Sequence, residues 1–81
     1  MKIKLKDVEQ FKKLLLMNGY TQRSYGRAIG ISEAYAHQIA NGTRNPGPKI
    51  AKDTAELLKV DFDDIFYIED AHKSNQTKQA I

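Results

Sequence analysis

The chain has no cysteine and no tryptophan, and only two prolines and two histidines. Without cysteine there is no disulfide framework and no thiolate metal site, a composition that suits a reducing compartment. No apolar run approaches the ~20 residues that span a bilayer. The basic start, MKIKLKDVEQ, lacks the apolar stretch of a signal peptide. These absences lead us to expect a soluble cytoplasmic protein with no membrane partner. The two histidines, His37 and His72, stand apart from any carboxylate pair or nucleophile at telling spacing, so an enzyme is not expected. Neither a cofactor nor a metal ligand set is called for. With 81 residues, 41% of them apolar, the chain supports one modest core and no large buried pocket.

The charge that is present is unevenly placed. The net charge is +3. Arg23, Arg27, Arg44, Lys49 and Lys52 face only Glu33 between residues 21 and 52, whereas Asp61, Asp63, Asp64, Glu69 and Asp70 meet no base between 61 and 70. A polyanion is attracted to the first stretch and repelled by the second.

Apolar spacing reads as helices. Val8, Phe11, Leu14 and Leu15 recur at intervals of three and four, the mark of an amphipathic helix. Asp7 is placed to cap it and Asn18-Gly19 to end it. Thr21 caps a second helix through Ile29, and Gly30-Ile31 form a turn. Ser32 caps a third helix to about Asn41, and Gly42 stops it. TRNPGPK is a loop, in which Asn45 before Pro46 is biased away from helix. Pro48 fits the first position of a fourth helix, with Ala51, Ala55 and Leu58 inward. Asp61 caps a last short helix holding Ile65 and Phe66.

The expected fold is therefore all-α, five short helices around one core. That core comprises Val8, Phe11, Leu15, Tyr25, Ala28, Ile29, Ile31, Ile39, Ala51, Leu58, Val60, Ile65 and Phe66. Residues 1–68 form one domain, and the polar stretch 69–81 is expected to be a disordered tail.

The interval AIGISEAYAHQIANG, residues 28–42, raises a question of its own. Gly30 breaks a helix, and Ser32 starts another almost at once. Two short helices joined by a tight glycine turn make a helix-turn-helix, here at 21–41. Such a turn sets the second helix at a steep angle and projects it outward, and an α-helix fits the major groove of B-DNA.

The stretch YTQRSYGRAIGISEAYAHQIANGTRNPGPKIAKDTAELLKVDFDDIF resembles the Cro/repressor-like (Xre-type) helix-turn-helix family of phages and bacteria. The likeness covers about residues 5–68. It rests on Gln22 opening the second helix, Gly30 in the turn, Ser32 capping the third helix, and Ile39 with Asn41-Gly42 closing it. The resemblance implies a lambda-repressor-like DNA-binding domain.

The resemblance also implies roles for single residues. Gln22 binds a phosphate from the start of the second helix, where free N–H groups and the dipole attract anions. Arg23, Tyr35 and the loop residues Thr43, Arg44 and Asn45 complete the phosphate contacts, Arg44 with several donors. Ser32, Glu33, Ala34, His37 and Gln38 face the bases. Gln38 suits adenine, Glu33 suits cytosine N4, and Ala34 suits a thymine methyl. His37 donates or accepts according to tautomer.

The sequence departs from the family where Tyr25 replaces a usual leucine, Gly26 an alanine and Ala36 a larger aliphatic. The Tyr25 ring is expected to fill the space that Gly26 and Ala36 leave. Ala40 stands where relatives often carry glutamate, and Leu15 and Leu16 are expected to offer it an apolar contact instead.

The implied function is a sequence-specific regulator of transcription, a phage or mobile-element repressor of the Cro/repressor type. Its partner is a pseudo-palindromic double-stranded DNA operator, bound by a homodimer with half-sites about one turn apart. Phe62, Tyr67 and Ile68 are the candidate dimer contacts. The alternative is an antirepressor or antitoxin-like module that acts mainly through a protein partner and engages it with the tail.

Overall fold

The computed structural model describes residues 1–70. The tail expected at 69–81 lies outside the described residues from 71 onward. Five helices run in order: α1 (Val8–Met17), α2 (Gln22–Ile29), α3 (Glu33–Ala40), α4 (Pro48–Leu57) and α5 (Phe62–Ile65). Two short strands enclose them, β1 (Lys2–Leu5) before α1 and β2 (Phe66–Glu69) after α5.

The strands correct the all-α expectation, although the fold remains mostly helical. β1 and β2 pair antiparallel, with Lys2 opposite Glu69, Ile3 opposite Ile68, Lys4 opposite Tyr67 and Leu5 opposite Phe66. The Lys6 N–H donates to the Ile65 carbonyl at 2.9 Å, extending the ladder toward α5. Lys4 also pairs diagonally with Glu69 at 3.0 Å, and that carboxylate raises the lysine pKa by hydrogen bond and charge. Phe66 is accordingly not helical. Its backbone is extended, at φ −123 and ψ 161, and Glu69 belongs to a strand rather than to the tail. The physical reason is that KIKL alternates charged and apolar residues, a period of two, over too few residues to stand out.

Caps set the helix boundaries. Asp7 Oδ1 accepts from the Glu9 and Gln10 N–H groups at 3.0 and 3.2 Å. Thr21 and Ser24 form a reciprocal capping box: Ser24 Oγ accepts from Thr21 N–H at 2.8 Å, and Thr21 Oγ1 accepts from Ser24 N–H at 3.1 Å. Ser32 Oγ accepts from Tyr35 N–H at 3.1 Å. Gly30 ends α2 at φ +80, a conformation that a Cβ makes costly. The Ile31 N–H then returns to the Gly26 carbonyl at 2.9 Å, closing the turn.

The buried core comprises Phe11, Leu15, Tyr25, Ala36, Ile39, Ala40, Ala51, Ala55, Leu58, Ile65 and Phe66, with Thr54 as its buried polar member. Val8, Ile29, Ile31 and Val60 are half-buried rather than buried, and Ala28 is exposed. Helix α2 turns Tyr25, Gly26 and Ile29 inward, and Ala28 lies about a third of a turn off that stripe.

Two packing expectations need amending. A Cβ built on Gly26 would stand 2.8 Å from Ala36 Cβ and 3.3 Å from the Ile31 and Ser32 carbonyl oxygens. No gap is therefore left for Tyr25 to fill, because α2 and α3 have closed on each other. The Tyr25 ring packs edge-on against Phe11, with centroids 5.6 Å apart. Its hydroxyl lies 2.8 Å from Thr54 Oγ1 on α4. Leu15 and Ala40 belong to one buried cluster, whereas Leu16 is exposed.

Candidate nucleic-acid interface

The close approach of α2 and α3 fixes what their outer rims present. Where the helices diverge they leave a cleft of about 370 Å³ lined by Gln22, Arg23, Glu33, Ala34 and His37. Two side-chain pairs bridge it. His37 Nδ1 lies 2.6 Å from Gln22 Oε1, and Arg23 Nε lies 3.5 Å from Glu33 Oε1. Residues assigned separately to phosphate and to base contact thus meet in pairs across the helix-turn-helix.

Gln22 is the first residue of α2 and is half-buried, and Arg23 beside it is exposed. Ser32 caps α3, and Glu33, Ala34, His37 and Gln38 follow it, all exposed. The projected helix therefore carries its proposed readers on the solvent side, while Ala36, Ile39 and Ala40 anchor its other side in the core. The small Ala36, facing Gly26, lets α3 seat closely on α2.

The loop after α3 forms a second cluster. Thr43 returns to the end of the helix, its N–H and Oγ1 both donating to the Gln38 carbonyl at 3.0 and 3.2 Å. Arg44 stacks its guanidinium 4.7 Å from the centre of the half-buried Tyr35 ring. Stacking on an aromatic face restrains the long arginine side chain and leaves the edges of its fork for acceptors. Asn45 is exposed next to the buried Pro46. Arg44 and Tyr35 are thus brought together.

The helix-turn-helix family matches residues 11–65, an interval that includes both clusters and the crossing between them. The chain belongs to the Xre-type helix-turn-helix family. It is also similar to the uncharacterized HTH-type transcriptional regulator YazB of Bacillus subtilis (strain 168), with 34% identity over 58 residues, 72% of this chain and 80% of that protein. No solved structure matches the chain.

The family assignment leaves the proposed dimer contacts to be located by geometry. Phe62 is half-buried, its ring 5.3 Å from that of Phe66. Tyr67 and Ile68 lie exposed on β2. Phe62 and Ile68 line an apolar groove of about 450 Å³ with Met1, Ile3, Pro46 and Pro48, among others.

Sequence reasoning missed three elements of this site: the Ser24 half of the capping box, the stacking of Tyr35 under Arg44, and Asn41. The Asn41 amide lies 3.3 Å from His37 Nε2 and donates to the His37 carbonyl at 2.8 Å. A signal for it was available, because His37 and Asn41 are four apart on a helix and so share a face.

Proposed function

We propose that this domain binds double-stranded DNA by sequence and regulates transcription, acting as a phage or mobile-element repressor of the Cro/repressor type. The observation that carries this reading is the pairing of the α2 start with the exposed side of α3. It supports the reading because side chains suited to phosphate and to base edges share one edge of the helix-turn-helix. In this reading α3 enters the major groove. Ser32, Glu33, Ala34 and Gln38 meet base edges, with His37 beside them. Gln22 and Arg23 hold a phosphate on one side, and Tyr35, Thr43, Arg44 and Asn45 hold one on the other. The Arg23 guanidinium offsets the Glu33 carboxylate, which otherwise repels the backbone it approaches.

One recognition helix reads few base pairs, and each wrong pair costs only about 1–3 kcal/mol. Specificity then asks for two copies on a pseudo-palindrome, and the exposure of Tyr67 and of Ile68, the latter in one groove with Phe62, supports a homodimer through β2. The testing experiment selects bound duplexes from a random pool and follows the affinity of the winners against salt. A recovered pseudo-palindrome with half-sites about one turn apart, and affinity that falls steeply with salt, is the expected result. Recovery of no sequence moves the function to a protein-binding module of antirepressor or antitoxin type.

A further inference from the structure

We infer that His37 acts in DNA binding as a positioning residue for Gln22 and reads no base itself. The inference rests on the DNA-binding reading above. It starts from the two ring nitrogens. Nδ1 faces Gln22 Oε1 at 2.6 Å. A carboxamide oxygen only accepts, so Nδ1 carries the proton. In the neutral ring Nε2 is then an acceptor, and it faces Asn41 Nδ2, a donor, at 3.3 Å. Both contacts select the same tautomer. Both nitrogens are also spent within the protein, which leaves the imidazole no polar atom for a base edge.

The consequence falls on Gln22. With Oε1 held by the histidine, the other end of the amide is its NH2 group, two donors with no partner among the described residues. Gln22 is the first residue of α2, where backbone N–H groups have no intrahelical acceptor. A phosphate oxygen arriving there meets those N–H groups and an amide already turned nitrogen outward. A free glutamine must order its side chain and choose between oxygen and nitrogen when it binds. One pinned by His37 has part of that ordering done beforehand. Asn41 completes the relay by holding the ring from its far side, so three side chains on two helices fix one donor group.

The test is a double-mutant cycle on a mixed-sequence duplex at low salt, with dissociation constants for the wild type, Gln22→Ala, His37→Phe and the double variant. His37 is exposed and Gln22 half-buried, so thermal melts are expected to remain near wild type. Gln22→Ala is expected to weaken binding about tenfold, the scale of a hydrogen bond to a charged group. His37→Phe keeps the ring shape and is expected to lose a similar factor, with little further loss in the double variant. His37→Asn, whose amide nitrogen takes the place of Nδ1, is expected to restore most of the affinity. Selection from a random pool with His37→Phe should recover the same bases as the wild type. Multiplying losses in the double variant, wild-type affinity for His37→Phe, or an altered base at one position in that selection would each overturn the inference. A wild type that binds no duplex at all would instead bring down the DNA-binding reading on which it stands.

Discussion

The Tyr25 hydroxyl lies 2.8 Å from Thr54 Oγ1, and both residues are fully buried. Thr54 has one hydroxyl proton and gives it to the Ile50 carbonyl at 2.7 Å. Tyr25 is therefore the donor in the buried pair. This bond ties the first helix of the helix-turn-helix to α4, across the core.

Burial pushes the Tyr25 pKa up to about 12. The unfolded chain releases the phenol proton near pH 10, while the folded chain still holds it. The contribution is thus complete below pH 10 and is lost as pH rises toward about 12. Denaturant unfolding from pH 8 to 11.5 should show stability falling above pH 10. Tyr25→Phe should remove most of that fall, and at pH 7 should cost about 1 kcal/mol for the lost hydrogen bond.

Gly26→Ala tests the closeness of the two helices. The added methyl would meet Ala36 Cβ at 2.8 Å, with two backbone oxygens also close. None of the three is the flexible end of a long side chain, so α2 and α3 must separate. A loss of about 1–3 kcal/mol is expected. In a domain of this size that lowers Tm by roughly 4–8 °C per kcal/mol, which thermal melts would read.

Arg44→Ala separates phosphate binding from folding. Arg44 is exposed and stacked on Tyr35, and losing such a stack costs about 0.5–1 kcal/mol of stability at most. On DNA the loss should be similar for every sequence tested, and the slope of log affinity against log salt should shrink by about one for each bound subunit. Titrations at several salt concentrations give both quantities.

Lys59 holds a left-handed backbone, at φ 59, just after α4. Its N–H donates to the Glu56 carbonyl at 3.1 Å and sharpens the turn into Val60. An L-residue there is strained by roughly 1–2 kcal/mol, and glycine relieves the strain while freeing the unfolded chain. Lys59→Gly should raise stability by about 0.5–1 kcal/mol, read as a higher denaturant midpoint with an unchanged slope.

Helices were legible where local chemistry decides them. Asp7, Thr21, Ser32 and Pro48 marked four starts because capping and a fixed proline φ act within one turn. Thr54 could also have been read, since it lies three residues after Ala51 and four before Leu58 on the inward stripe of α4. Its hydroxyl is buried because Tyr25 and the Ile50 carbonyl both partner it. The β1–β2 pair was not legible in this way, because its two partners are far apart in sequence and each is only four residues long. At the interface, the family resemblance pointed to Gln22, Arg23, Glu33 and His37 one by one. The pairs they form depend on how closely α2 and α3 cross, and that distance is set by Gly26 and Ala36.

The terminal ribbon makes the domain a ring in all but covalent connection. With Lys2 opposite Glu69, the chain enters and leaves the fold at one point on its surface. A short linker could join those two positions while new ends are cut in the exposed loop at 43–45, giving a circular permutant with every helix intact. In that permutant the ribbon becomes a sequence-local hairpin, so its pairing moves from the longest loop closure in the domain to one of the shortest.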